Sequence, residues 1–166
     1  MRLRVLRVEA MANFFRTVEF LCLSLWLGSD VFLSFVVAPG AFRVLASRDQ
    51  AGAMVGFALW WMHMIGVICG IVFLTSRFLR TRNFATLVAP ATLCVVLMIV
   101  LTVTSQHAVS PRMAELRTQM GSIEATEARN PLLMEFQKLH RRSVTLESGV
   151  LLAGIAAMFW LVREGG

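Results

Sequence analysis

Residues 20–38, FLCLSLWLGSDVFLSFVVA, form a nearly unbroken apolar run closed by Pro39 and Gly40. A helix needs about 20 such residues to cross the hydrocarbon core of a bilayer. The run carries one charge, Asp30, close to its centre. A carboxylate at that depth costs roughly 2.5–3.5 kcal/mol on insertion scales, so it belongs in a protein interior or a water-filled cavity and not against lipid.

Three more stretches share this character: residues 54–76, 85–104 and 144–162. Hydropathy therefore predicts an all-α integral membrane protein, four transmembrane helices in one bundle forming a single membrane domain over 1–166. The helices are expected at about 13–39, 54–76, 85–107 and 131–163. Pro90 falls inside the third, where neighbours would have to satisfy the freed carbonyl. The first two links, 40–53 and 77–84, are short. The third, about 108–142, is longer and charged. In it, RMAELRTQM spaces Met113, Leu116 and Met120 at helical intervals before Gly121, and Asn130-Pro131 reads as an N-cap followed by proline at the first helical position. This predicts a helical extramembrane hairpin between helices three and four.

Of the 166 residues, 57% are hydrophobic and 16% charged, which leaves no room for a second sizeable domain. The net charge of +6 sits mostly on arginines in the links and flanks, as in loops held at a membrane surface. Aromatic residues are not interleaved with a basic patch, so nucleic-acid binding has no support. The start, MRLRVLRVEAMANFFR, resembles the positive region of an export signal, but the apolar run after it is too long and lacks a small-x-small cleavage site. It reads as the flank of a retained first helix. Its arginines (Arg2, Arg4, Arg7, Arg16) favour cytoplasmic termini in a bacterial inner membrane. Cys22, Cys69 and Cys94 lie singly in apolar stretches and read as small buried hydrophobes. The ten methionines show no MxxM run and read as core filler.

The chain has no P-loop, GxSxG, GxGxxG or HExxH, and an enzyme is the least supported class. What stands out is a set of polar groups in one half of the membrane. Counted from the end bearing the first and third links, Asp30 and His63 lie at similar depth, ~12–14 Å at helical rise. His107 ends the third helix at that end; His140 opens the fourth, with Glu147 two turns on. Gly56, Gly66 and Gly70 share a face with His63, and Gly66-x-x-x-Gly70 is a close-packing pattern between membrane helices. The economical partner for His63 is Asp30.

Three uses of this cluster are open: structural glue; metal or haem ligation by two or more of His63, His107 and His140, without HxH, HxxxH or CxxC spacing; and a proton or ion path through Asp30, His63 and Glu147. Arg16 and Glu19 read as a local interfacial pair. Trp160 fits an interfacial belt; Trp60 and Trp61 fit either such a belt or packing around His63. Both the first and third helices leave the membrane through Val-x-Pro, at Val37-Ala38-Pro39 and Val109-Ser110-Pro111, which fits two parallel-related hairpins.

The runs LWLGSDVFLSFVVAPGAFRVL, HAVSPRMAELR and EFQKLHRRSVTLESGVLLAG resemble the uncharacterised membrane family whose eukaryotic members include the transmembrane protein 205 type. The likeness spans about residues 20–154. Its most specific pieces are VVAP at 36–39 and the Phe136, His140, Ser143 element. It implies four membrane helices with a helical third link; some eukaryotic members are associated with tolerance to platinum drugs. Many relatives carry Asn-Leu after that serine, whereas this chain has Leu146-Glu147. In helix count and His-bearing helices the chain is more distantly similar to copper-resistance membrane proteins and small haem-associated protoporphyrinogen oxidases. Two functions are therefore weighed: a membrane protein handling a small solute, metal ion or haem at the Asp/His cluster, or an accessory subunit packed on a larger membrane complex or on copies of itself.

Overall fold

Helix formation follows the apolar runs and continues well past them. In the computed structural model, which describes residues 2–164, the elements are α1 (Arg2–Phe32), α2 (Ala38–Val44), α3 (Arg48–Thr81), α4 (Pro90–Thr104), α5 (Ser110–Met120) and α6 (Pro131–Arg163). No strand occurs among the described residues. Four helical rods, residues 9–44, 48–81, 90–120 and 131–163, are long and apolar enough to cross a membrane. The chain thus has the length pattern and composition of an integral membrane protein in contact with lipid. The side chains of Arg2 and Arg4 lie outside the described residues.

The first rod does not stop at Pro39. A five-residue π-helical segment, Leu33–Val37, joins α1 to α2, and a second, Ser105–Val109, joins α4 to α5. Each has a proline two residues beyond it, Pro39 and Pro111. The reason is steric. Proline has no N–H to donate and its ring collides with the carbonyl four residues back. Widening the turn just upstream shifts that carbonyl aside, so the helix bends on without ending. The i→i+5 closure is explicit: the Ala38 N–H donates to the Leu33 carbonyl, and the Ser110 N–H to Ser105. Ser110 adds its hydroxyl to the same carbonyl at 3.1 Å.

The first turn between rods is therefore only 45–47. Ser47 caps α3 by accepting from the Gln50 N–H at 3.2 Å. Pro90 opens α4 at its first position after a short 3-10 turn, Phe84–Val88, so no helix carbonyl is freed. Asn130 caps α6 through Leu132, with Pro131 next in the chain.

α1 packs along α3, and α4 along α6, with α3–α4 and α1–α6 contacts between the pairs. Their shared core includes Trp26, Phe73, Val95, Met98, Val150 and Ala157, all almost wholly buried. Two glycines of α3 make the first pair fit. A Cβ at Gly66 would meet the Trp26 ring at 2.4 Å, and one at Gly70 would meet Ile99 and Trp26 inside 3 Å. Gly56 is different: it faces the Arg117 side chain at 4.0 Å and packs against no helix backbone. A smaller core of Val109, Leu116 and Leu139, with Met113, Met120 and Phe136 around it, holds α5 against the first half of α6. Gly121 ends α5 with φ of 71°, a conformation that favours glycine.

Candidate functional site

The π segments, the start of α3 and the first half of α6 meet at one end of the molecule, and the polar side chains gather there. His63 is fully buried. Its Nε2 lies 2.8 Å from Glu147 Oε1 on α6, and its Nδ1 lies 2.8 Å from Gln106 Oε1 in the second π segment. Ser105, in the same segment, donates to Glu147 Oε1 at 3.1 Å. As Gln106 stands, both ring nitrogens face acceptors, which suits a doubly protonated ring donating to each. A half-turn of the Gln106 amide presents an N–H instead, which suits the neutral ring. The same two side chains, Gln106 and Glu147, can thus hold His63 in either protonation state.

Asp30 is not the hydrogen-bond partner of His63. Its Oδ1 accepts from Ser34, in the first π segment, at 3.3 Å. Glu147 and His63 lie within Coulombic reach of it. The rotation of α1 aims Asp30 toward its own serine, while α6 brings Glu147 onto the imidazole. Both carboxylates are left with a buried oxygen that has no hydrogen-bond partner: Asp30 Oδ2 and Glu147 Oε2. The formal charges do not balance either, since two acids face one histidine.

Glu147 sits on the wall of a cavity of about 1090 Å³ lined by all four rods, largely apolar, with Gln106, His140, Ser143 and Arg117 among its polar members. His140 is exposed at that wall. His107 is exposed and turned back on its own helix, its ring 3.1 Å from the Val103 carbonyl. The three histidines are not drawn together, and no group of three or more His, Cys, Asp or Glu suited to a metal occurs among the described residues. His63 has both nitrogens engaged and none directed at a vacant ligand position.

A second ionic cluster lies at the other end of the rods. Glu19, fully buried, accepts from Arg80 at 2.7 and 3.1 Å and from Arg77 at 3.4 Å; Arg77 also pairs with Glu164. Glu19 therefore reaches across to α3, and Arg16, its neighbour in sequence, stacks on Phe20 at 5.8 Å instead. Trp60 lines the cavity and meets Trp61 edge to face at 4.9 Å. Trp160 pairs with Phe159, over which Arg163 sits at 4.4 Å.

Sequence reasoning missed Ser34, Ser105, Gln106 and Arg117. The available signal was the pair of prolines: each lies within six residues of a serine whose hydroxyl serves a buried acid.

The family model described as "Domain of unknown function (DUF4149)" matches residues 21–122. That span contains Asp30, His63, Gln106 and Arg117 but neither Glu147 nor the rest of α6. No curated protein and no solved structure matches the chain.

Proposed function

We propose, for a chain that belongs to this domain family of unknown function, that it is a membrane solute-binding protein whose cavity leads to a proton-exchanging site formed by Asp30, His63 and Glu147. The observation that carries this reading is the pair of buried, unpartnered carboxylate oxygens flanking a histidine that can be held in either protonation state. Groups left in this condition in a low dielectric call for a proton, a cation or a hydrogen-bond donor from a ligand. The cavity gives such a partner access to Glu147.

The four rods form one bundle in this reading, with the α5–α6 segment as a hairpin outside a bacterial inner membrane and the termini in the cytoplasm. The basic first flank supports that orientation. The cavity then opens on the outer face. Beyond the site, the core around Phe73, Val95, Met98 and Val150 is apolar and buried, which supports a site loaded from one side over a continuous path through the molecule. Haem or metal ligation is less well supported because His63 offers no unengaged nitrogen and His107 and His140 stand apart from it.

The test is infrared difference spectroscopy of the purified protein in lipid nanodiscs, titrated with pH. A protonated-carboxyl band that titrates and disappears in Glu147→Gln or Asp30→Asn, with the fold intact by circular dichroism, supports the site. A spectrum unchanged in both variants overturns it. Co-purification of other membrane subunits in that case favours the accessory role, and a Soret band or bound metal lost in His63→Ala favours a cofactor.

A further inference from the structure

The cavity has a second polar feature, distant from His63. Arg117 of α5 lays its guanidinium against the first turns of α3, where a Cβ at Gly52 would meet Nη2 at 2.8 Å. Its Cζ lies 5.7 Å from the centre of the Phe136 ring on α6. Gly52 precedes His63 by eleven residues, which is about 16 Å along the helix. Arg117, on the cavity wall, is therefore well separated from His63.

The Arg117 guanidinium makes no hydrogen bond among the described residues, and its Nε is buried without a partner. Asp49 is in Coulombic contact with it. Both Asp49 oxygens are taken, however, by the Ser122 hydroxyl at 2.6 Å and the Ile123 N–H at 2.8 Å. Arg117 thus has its charge softened but its donors unused. A planar guanidinium with unused donors is suited to a carboxylate or phosphate held by two parallel hydrogen bonds.

The remaining wall says what such an anion is attached to. α2 packs on α3 and not along α6, which leaves a side cleft edged by Phe35, Phe42 and Val144. These side chains line the cavity and are also 67%, 51% and 51% exposed. A free inorganic anion gains nothing from them, whereas a hydrocarbon tail does. We infer that Arg117 is the headgroup subsite for an acidic amphiphile that enters sideways between α2 and α6, its tail lying along Phe35, Phe42 and Val144. This deepens the proposal that the cavity is a ligand site, but it stands on Arg117 and not on Glu147.

The experiment is a binding titration by native mass spectrometry and thermal shift, on the full chain in a neutral detergent. The probes are oleate, dioleoyl phosphatidate, dioleoyl phosphatidylcholine and inorganic phosphate. Expected is saturable binding of an acidic amphiphile, with phosphatidylcholine and phosphate far weaker. Preference for oleate identifies a free fatty acid as the source, and preference for phosphatidate a bilayer phospholipid. Losing a charge-assisted pair predicts a drop of roughly ten- to a hundredfold in Arg117→Gln. Binding of phosphatidylcholine as tight as phosphatidate, or an unchanged affinity in a folded Arg117→Gln, overturns the inference. Should that variant not fold, wild-type binding decides: affinity must weaken as salt rises, and salt-independent binding overturns it. Because the infrared titration reads Glu147 and this one reads Arg117, the two proposals fail separately.

Discussion

Two buried ionic clusters lie fourteen residues apart on α3, about 21 Å at helical rise, and they are completed to different degrees. At Arg77 and Arg80 the charges balance: two guanidiniums meet Glu19 and Glu164, and every carboxylate oxygen of Glu19 has a donor. At His63 they do not balance, and an oxygen on each of Asp30 and Glu147 is left over. Burial away from water penalises both clusters in the same way, so the difference is informative. The first balances its charges, leaves Arg77 Nε as a buried donor without a partner, and fastens α1, α3 and α6 together. The second is incomplete and adjoins a cavity, the arrangement of groups that await a partner.

The comparison can be broken most forcefully at the closed cluster. Arg77→Ala removes the cation shared by Glu19 and Glu164 and is expected to destabilise the protein by about 3–5 kcal/mol, the usual cost of stranding a buried partner. Equilibrium unfolding in mixed micelles would measure it. A loss under about 1 kcal/mol, the worth of an exposed pair, would show that the cluster is not a fastening. Between the clusters, Gly66→Ala drives a methyl into the Trp26 ring and is expected to cost roughly 1–3 kcal/mol by overpacking, read as a lowered melting temperature.

Arg80 is 23% exposed and shares Glu19 with Arg77, so Arg80→Gln should cost only about 0.5–1 kcal/mol. The smallest effect is predicted for the open cluster. Glu147→Gln keeps the shape and removes a surplus negative charge, so stability should change by less than about 1 kcal/mol in either direction, while the carboxyl signal of the site disappears. A large destabilisation there would mean that Glu147 is fastening too, and the contrast between the two ends would collapse.

Much of the helical layout was legible because it rests on hydropathy and local punctuation: four long apolar rods, the Asn130-Pro131 start, the Gly121 stop. The site was legible in depth but not in pairing. Counting residues puts Asp30 and His63 at one depth and Glu147 in the same half of the membrane, since rise per residue is fixed. Which of them touch depends on helix rotation, and a π segment inserts an extra residue in a turn and swings the downstream side chains by about 100°. Depth alone therefore pairs His63 with Asp30, when Glu147 and Gln106 hold it. Sequence spacing misleads in a similar way at Glu19. A separation of three favours a local pair with Arg16 at a surface, but Glu19 faces inward, where Arg77 and Arg80 of another helix are the donors.

The Arg77–Glu164 pair also bears on how the molecule is made. The two residues are separated by 87 positions. At ~5–20 residues per second, Arg77 is synthesised several seconds or more before Glu164. During that interval Glu19, synthesised earlier, is already present for Arg77 and Arg80, so an α1–α3 hairpin can form with one surplus positive charge. The last helix to arrive then supplies the final carboxylate, and assembly is sealed from the end of the chain backwards.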